Sequence, residues 1–210
     1  MAEPDHLVLA ARDLDAGAAW LEQHLGVALA AGGKHPRMGT HNRLLGLGDN
    51  FYLELIAIDT AAAPPEWPRW FALDRLQASD RPRLIHWVAR SDDILRDAAG
   101  SAEPLGEILP MERGDYRWRI SVPVDGHLPG DGLVPALIQW DVPLHPASRL
   151  PDRGCRLMKL EGFHPQPARI RTALAALGLA SRLDVHPCAA GEAPQLVAYI
   201  RTPGGLVELD

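Results

Sequence analysis

His6 and Glu54 are the residues whose types and surroundings most suggest chemistry. They lie in DHLVLAAR and FYLELIAI, two stretches that alternate as β-strands do. Strand side chains alternate between two faces, so His6 shares a face with Val8, and Glu54 shares one with Tyr52, opposite leucine-rich faces. A carboxylate buried among apolar groups is unstable without a partner, so Glu54 predicts a metal or another cation nearby. The structural alternatives are a partly exposed histidine and a carboxylate on an exposed sheet face.

The elements that would position this pair recur along the chain. A first unit reads as strand, helix and further strands, with a helix in AGAAWLEQHLG, a glycine-rich turn at Gly32-Gly33 and strands over 40–47 and 51–58. A second unit repeats this order in RLIHWVAR, a short helix, GEILPMER, DYRWRISVP and LVPALIQWD. Eight positions separate His6 from Leu14 and His86 from Ile94, so His86 occupies the place of His6 in the second unit.

A third, partly degenerate copy follows from RLMKLEGF to GLVELD, with leucine or methionine where the first two copies have histidine. The expected fold class is therefore α+β with repeated βαβββ units. The predicted organisation is a first unit over 1–60, a linker with a helix over 61–82, a second unit over 83–142 and a third over 155–210, all in one compact domain. The Trp67 to Phe71 segment of the linker could form a lid or a contact in a homodimer.

The segments DHLVLAARDLDAGAAWLEQHLG and GGKHPRMGTHNRLLGLGDNFYLELIA resemble the glyoxalase-like branch of the vicinal-oxygen-chelate superfamily. The resemblance is close over about the first 60 residues and continues only as the repeat pattern. It implies a cup-shaped mixed sheet with helices outside. It also implies a divalent metal, Fe, Mn, Ni or Zn, bound by His6, Glu54 and His86. Two histidines and one carboxylate leave coordination positions open for a substrate.

The chain departs from that pattern at the expected second glutamate, where Gln139 stands. A neutral amide is a weaker ligand. Glu208, near the end of the third copy, could supply the carboxylate instead, so the fourth position is open between Gln139, Glu208 and water. His41 and Glu208, like Glu54, are candidates for moving a proton. For His41 and for Asn42, its neighbour in GTHN, a structural role is the alternative.

Arg117 and Arg119 alternate with aromatic residues in DYRWRISVP and would favour an anionic substrate if the aromatic face packed under helices. An edge strand that exposes both arginines is the alternative. The leading functional hypothesis is a metal-dependent lyase, isomerase or dioxygenase that chelates two neighbouring oxygens of a small-molecule substrate. The alternative is a metal-free protein that binds and sequesters small molecules such as antibiotics, as some members of that superfamily do.

Composition limits the partners and the compartment. A net charge of -6 without a basic stripe excludes nucleic acid as an expected partner. No apolar segment is long enough to cross a membrane, and no export signal is visible at the amino terminus. Cys155 and Cys188 are too few for a disulfide framework, so a reducing cytoplasm is expected, although one disulfide between them is open.

Overall fold

Eight strands from the first two units form one curved sheet in a computed structural model that describes residues 2–143, 145–189 and 191–210. The order across the sheet is β2-β3-β4-β1-β5-β8-β7-β6. The α+β cup expected from the sequence is confirmed. The strands are β1 (Glu3–Ala10), β2 (Ala30–His35), β3 (Thr40–Gly46), β4 (Tyr52–Ile58), β5 (Arg83–Arg90), β6 (Glu107–Arg113), β7 (Tyr116–Val122) and β8 (Ala136–Trp140).

The two units have the same strand pairing. In each, the first strand runs parallel to the last, β1 beside β4 and β5 beside β8. The units join through antiparallel pairing of β1 with β5 at the centre of the sheet. The ends of the sheet, β2 and β6, also approach each other, so the sheet curls into a cup.

Two helices cover the outer face of the sheet. The carboxylate of Asp13 accepts from the Ala16 amide at the start of α1 (Leu14–Leu25), and Gly26 ends this helix with a φ of 68°. A similar cap from Asp93 begins α2 (Ile94–Ala99). The leucine faces of β1 and β4 belong to the same buried core as α1, as strand alternation predicts.

The linker fills the inner face of the cup. Its 3₁₀ segment (Trp70–Arg75) buries Trp70, Phe71 and Leu73 in a second core that includes Val8 and Ile56. Both Phe71 and Ala72 have positive φ angles, near 57° and 53°. The segment therefore packs as a cover over the concave face.

The third segment forms a separate four-stranded sheet of order β10-β9-β11-β12. Its elements are β9 (Arg156–His164), α3 (Pro167–Ala176), β10 (Asp184–Pro187), β11 (Gln195–Thr202) and β12 (Gly205–Leu209). Here β9 pairs in parallel with β10, and the last strand, β12, lies at the edge of the sheet beside β11. The element order repeats while the pairing does not. Its apolar residues share a core with the outer face of the large sheet, as Leu160 and Leu174 do with Trp87.

Within the described ranges, no helix has both the length and the apolar character needed to cross a membrane. Cys155 and Cys188 are both free, so the disulfide that the sequence left open is not formed.

Candidate active site

His6 and Glu54 meet on the inner face of the cup. β1 and β4 are parallel neighbours in which His6 lies opposite Tyr52 and Val8 lies opposite Glu54, so the pair is diagonal on one face. Nε2 of His6 lies 3.7 Å from Oε2 of Glu54. Both residues are buried, and the Tyr52 ring stacks on His6 with centroids 4.6 Å apart. Two groups able to carry a proton or a metal therefore face each other.

A β-bulge brings Asp5 to the same histidine. Pro4 pairs with Ala89 and His6 with Val88, so Asp5 is an extra residue in β1. Such bulges turn a side chain out of strict alternation. The Asp5 carboxylate lies 2.6 Å from Nδ1 of His6 and can accept a hydrogen bond from the Nδ1–H group.

Asp5 is fully buried and accepts further bonds from Trp140 Nε1 and His145 Nε2, each at 2.9 Å. Burial raises the pKa of Asp5, but the hydrogen bonds from His145 and His6 outweigh it and hold that pKa well below its usual value. An ionised Asp5 keeps the proton of His6 on Nδ1 and stabilises a positive charge on the ring. Nε2 is then the atom presented to Glu54.

Asn42 holds Glu54 from the other side. The amide nitrogen of Asn42 donates a short hydrogen bond to Oε1 of Glu54. Its Oδ1 accepts from the Gly33 amide at 2.8 Å and from Arg113 at 3.0 Å. Because both partners of Oδ1 are donors, the side chain has one orientation, with Nδ2 toward Glu54.

A second bulge makes room for this arrangement. The sequence predicts a turn at Gly32-Gly33, but both glycines lie within β2, where they together oppose Asn42. A Cβ at residue 32 would lie 2.1 Å from Oδ1 of Asn42, and one at residue 33 would lie 2.6 Å from Cδ of Arg113. The predicted turn is therefore wrong, because glycine inside a strand can mark a bulge or a close approach of another group.

His35 is the third histidine of the site. It is buried, and its Nδ1 lies 3.1 Å from Oγ1 of Thr40. Nε2 lies 3.5 Å from both Nδ2 of Asn42 and a guanidinium nitrogen of Arg113. Burial, with a smaller contribution from Arg113, lowers the pKa of His35 to about 3. His35 is therefore neutral at neutral pH.

These groups surround a cavity of about 20 Å³, which accommodates a water molecule or a single functional group. An adjoining groove of about 500 Å³ shares His35 and Trp118 with the cavity. That volume lies in the range of small-molecule sites. The cavity is lined by His6, His35, Tyr52, Glu54, Trp70, Phe71, Arg113, Trp118, Ile120, Ile138 and Trp140.

His86, which the sequence predicts as a ligand, has both ring nitrogens bonded to the backbone. Nδ1 lies 3.1 Å from the carbonyl oxygen of Gly132, and Nε2 accepts from the Ala136 amide at 3.0 Å. Burial lowers the pKa of His86 to about 4. In this arrangement the ring joins β5 to Gly132 and to the first residue of β8, and it offers no free lone pair to a metal.

Two of the three substrate-binding residues predicted from the second unit, Gln139 and Arg119, line neither the cavity nor the groove, whereas Arg117 lines the groove. The side chain of Gln139 accepts from the Ile94 amide at the start of α2, on the outer face of the sheet. Arg119 pairs with Asp141 at 2.8 Å. Arg117 pairs with Glu112 at 3.2 Å on the rim of the groove. The aromatic side chains of β7 face the cup, which turns both arginines away from its interior.

The two other predicted catalytic residues are also outside the cavity. Glu208 is exposed on β12 in the four-stranded sheet, where it lies opposite Tyr199. His41 neighbours Asn42 on β3 but is not among the residues that line the cavity. Strand alternation explains this position, because Asn42 points inward.

Sequence reasoning missed Asp5, His35 and Arg113. The Gly32-Gly33 pair opposite Asn42 was a usable signal for a bulge. Arg113 carried no comparable signal, since it reaches Asn42 across 71 positions of sequence.

The site contains part of the set of donor atoms expected for the divalent metal that the sequence predicts. His6 Nε2 and Glu54 Oε2 offer two donors, and the Asp5 bond resembles the outer support that metal-binding histidines receive. Across the described residues, however, no cluster of three or more His, Cys, Asp or Glu side chains could hold a metal ion. The residues as arranged do not fit the three-ligand site.

Comparison with known proteins gives the family. The model of a family described as "Glyoxalase-like domain" matches residues 5–178. The chain belongs to this family. As the sequence predicts, the glyoxalase-like domain thereby falls within the vicinal-oxygen-chelate superfamily. Members of this superfamily commonly use divalent metals. The compared set of curated proteins contains no match to the chain.

Solved structures match the glyoxalase-like domain, and the first of the following three shares its fold. A hypothetical protein from Staphylococcus aureus is 12% identical, with 100% of this chain and 99% of that chain covered and a TM-score of 0.66. Methylmalonyl-CoA epimerase from Mycobacterium tuberculosis is 19% identical over 65% of this chain and 85% of its own, with a TM-score of 0.42. The Streptomyces coelicolor epimerase in complex with 2-nitronate-propionyl-CoA is 19% identical over 68% and 99%, with a TM-score of 0.45.

Proposed function

We propose that this glyoxalase-like domain is a lyase or isomerase that moves a proton on a small molecule with oxygens on neighbouring carbons. The observation that carries the proposal is the 3.7 Å approach of His6 Nε2 to Glu54 Oε2 in a buried cavity. Each partner is oriented from behind, His6 by Asp5 and Glu54 by Asn42. Pre-oriented acid and base groups are the main requirement for abstracting a proton next to a carbonyl.

The roles follow from the hydrogen bonds. Oε2 of Glu54 takes the proton from carbon, while Asn42 keeps the carboxylate in place through Oε1. The electrons of the broken C–H bond move to the adjacent carbonyl oxygen, where negative charge develops. A protonated His6 gives its Nε2 proton to that oxygen, and Asp5 stabilises the imidazolium before the transfer. The resulting enediol then takes a proton at carbon from Glu54 while a hydroxyl returns its proton to His6, or it expels a leaving group as a hydroxyl gives its proton to His6.

The predicted divalent metal, Fe, Mn, Ni or Zn, stays a proposal. A metal held by His6 Nε2 and Glu54 Oε2 would supply Lewis-acid polarisation of the substrate oxygens in place of the proton steps given above, which belong to the metal-free site. No step above requires it. The groove of about 500 Å³ would hold the remainder of the substrate. Two free cysteines favour a reducing compartment such as the cytoplasm.

The experiment is hydrogen exchange at carbon. The protein is incubated in D₂O with hydroxypyruvate, 2-oxobutanoate or dihydroxyacetone, and loss of the C–H signal is followed by NMR. Each reaction is run with EDTA and with added Mn²⁺ or Zn²⁺. Glu54→Gln is compared with Glu66→Gln, which removes an equal charge from the exposed linker.

Wild-type protein is expected to accelerate exchange for at least one compound. Glu54→Gln should slow that exchange about a hundredfold or more, in keeping with loss of a general base, while Glu66→Gln should not change it. If wild type and Glu54→Gln behave alike, the proposal is wrong. Saturable binding of these compounds without any exchange would favour the sequestering protein instead.

A further inference from the structure

We propose that Arg113 binds an anionic group of the substrate, most simply a carboxylate, at the cavity that holds His6 and Glu54. This inference rests on the proposed function for the identity of the site and adds the substrate class. Arg113 lines the cavity although it ends β6, a strand at the far side of the sheet. Its position, its charge and a neighbouring donor each support the assignment.

The position of Arg113 depends on how the cup closes. The edge strands β2 and β6 approach each other, and the Arg113 side chain crosses β2 over Gly33. There its guanidinium donates to Oδ1 of Asn42 at 3.0 Å. The cation thus lies one residue away from Glu54 in the hydrogen-bond network, because Asn42 donates to Glu54.

Among the residues that the structure describes, no carboxylate forms a direct ion pair with Arg113. Arg117 and Arg119 pair with carboxylates. By contrast, the contacts of Arg113 within the part of the chain that the structure describes are with neutral groups. They are Asn42, His35 and the face of the Tyr116 ring, whose centroid lies 5.7 Å from the guanidinium carbon. A guanidinium is always charged and has five N–H donors, so several remain for a ligand.

Trp70 supplies a second donor at the same cavity. The residue is 3% exposed, and its indole N–H is buried without a partner among the described residues. A buried donor without a partner is unfavourable unless a ligand or water satisfies it. Arg113 and Trp70 together are therefore suited to bind an oxyanion at this cavity. The carboxylate of Glu54 would repel this group, which makes the Arg113 cation necessary.

The test follows the Trp70 indole signal in ¹H–¹⁵N NMR spectra, assigned with Trp70→Phe. Glycolate and lactate are titrated alongside glycolamide and lactamide, which have the same shape without the charge. Wild-type protein should show a saturable shift with the acids and none with the amides. Arg113→Gln should weaken binding roughly tenfold or more through loss of charge-assisted hydrogen bonds. Arg43→Gln, which removes a charge that pairs with Asp15 outside the cavity, should not weaken it.

The proposal is overturned if neither acid shifts the signal more than its amide does, or if Arg113→Gln binds as wild type does. Arg113→Lys retains the charge and should retain part of the binding, which separates charge from folding. Glu54→Gln distinguishes this inference from the proposed function, because it should slow exchange at carbon about a hundredfold or more and should retain or strengthen acid binding. Acid binding by a wild-type protein that catalyses no exchange would leave Arg113 assigned and the proposed reaction rejected.

Discussion

The Asp5 carboxylate lies 2.6 Å from Nδ1 of His6, its neighbour in the sequence. Adjacent strand residues normally point to opposite faces, and the bulge at Asp5 removes that alternation. A fully buried aspartate thereby supports the histidine that faces Glu54. Asp5 is a positioning residue in this account, since it acts on the reaction only through His6.

Replacing Asp5 with asparagine tests that role. Asp5→Asn removes the charge that stabilises an imidazolium on His6, so we expect the exchange rate to fall about a hundredfold. The substitution also places an NH₂ group among the three donors that the Asp5 carboxylate accepts from. The free energy of unfolding should therefore fall by about 1–3 kcal/mol. The ¹⁵N shifts of the His6 ring should report a loss of the Nδ1–H tautomer. Unchanged His6 shifts would contradict the role, and Asp49→Asn serves as an exposed control.

The bulge in β2 gives a second prediction. In Gly33→Ala the new Cβ would lie 2.6 Å from Cδ of Arg113, so the arginine must move. We expect Gly33→Ala to weaken acid binding as Arg113→Gln does, with a change in the free energy of unfolding of about 1 kcal/mol or less. Gly46→Ala is the matched control, because its Cβ would meet Leu150 at an ordinary 3.5 Å. Equal acid binding by both alanine variants would contradict the packing described here.

The buried histidines predict how stability depends on pH. Burial lowers the pKa of His35 to about 3 and that of His86 to about 4, whereas in the unfolded chain both titrate near 6.5. Between these values the unfolded state binds more protons, so stability falls as the pH is lowered from about 6.5 to 4. The slope should reach about 1.4 kcal/mol per pH unit for each histidine.

Urea unfolding at pH 7, 6 and 5 measures this slope at constant ionic strength. His35→Gln should reduce the slope by the contribution of one histidine, about 1.4 kcal/mol per pH unit. A free energy of unfolding that stays constant from pH 6.5 to 5 would contradict the burial of these two rings as neutral species.

Metal binding distinguishes the His6–Glu54 pair from His86, which the sequence predicts as a further ligand. Because both nitrogens of His86 bond to the backbone, we expect calorimetric Mn²⁺ affinity of EDTA-treated protein to fall in Glu54→Gln and to persist in His86→Gln. Near-UV circular dichroism checks that His86→Gln folds. Equal losses in the two variants would return His86 to the ligand set, and a wild type that binds no divalent ion would refute the metal prediction.

Strand alternation was enough to predict that His6 and Glu54 share a face, because both lie in regular pairs of β1 and β4. The same rule misplaced the interior of the second unit. Arg119 was a candidate for the cup only if the aromatic face packed under helices, yet Trp118 lies in the inner core and Arg119 points outward. Alternation gives two faces without saying which one a neighbouring layer will cover.

Residues that reach the site through irregular or distant structure were beyond sequence reasoning. Asp5 arrives by a bulge, and Arg113 arrives by closure of the sheet edges. Glu208 is predicted at the site but lies outside it, for a related reason. The third segment repeats the element order, but its last strand, β12, lies at the edge of its sheet, whereas β4 lies beside the first strand of its unit. An equivalent sequence position is therefore not an equivalent place. Strand pairing depends on long-range packing that a local pattern does not contain.

Whether Glu54 is the base is decided by the rate of C–H exchange in D₂O that Glu54→Gln catalyses, relative to the rate with Glu66→Gln. The His6–Glu54 pair predicts a loss of about a hundredfold or more in the first variant and none in the second. Equal rates in the two variants would show that Glu54 is not the base and would contradict the account.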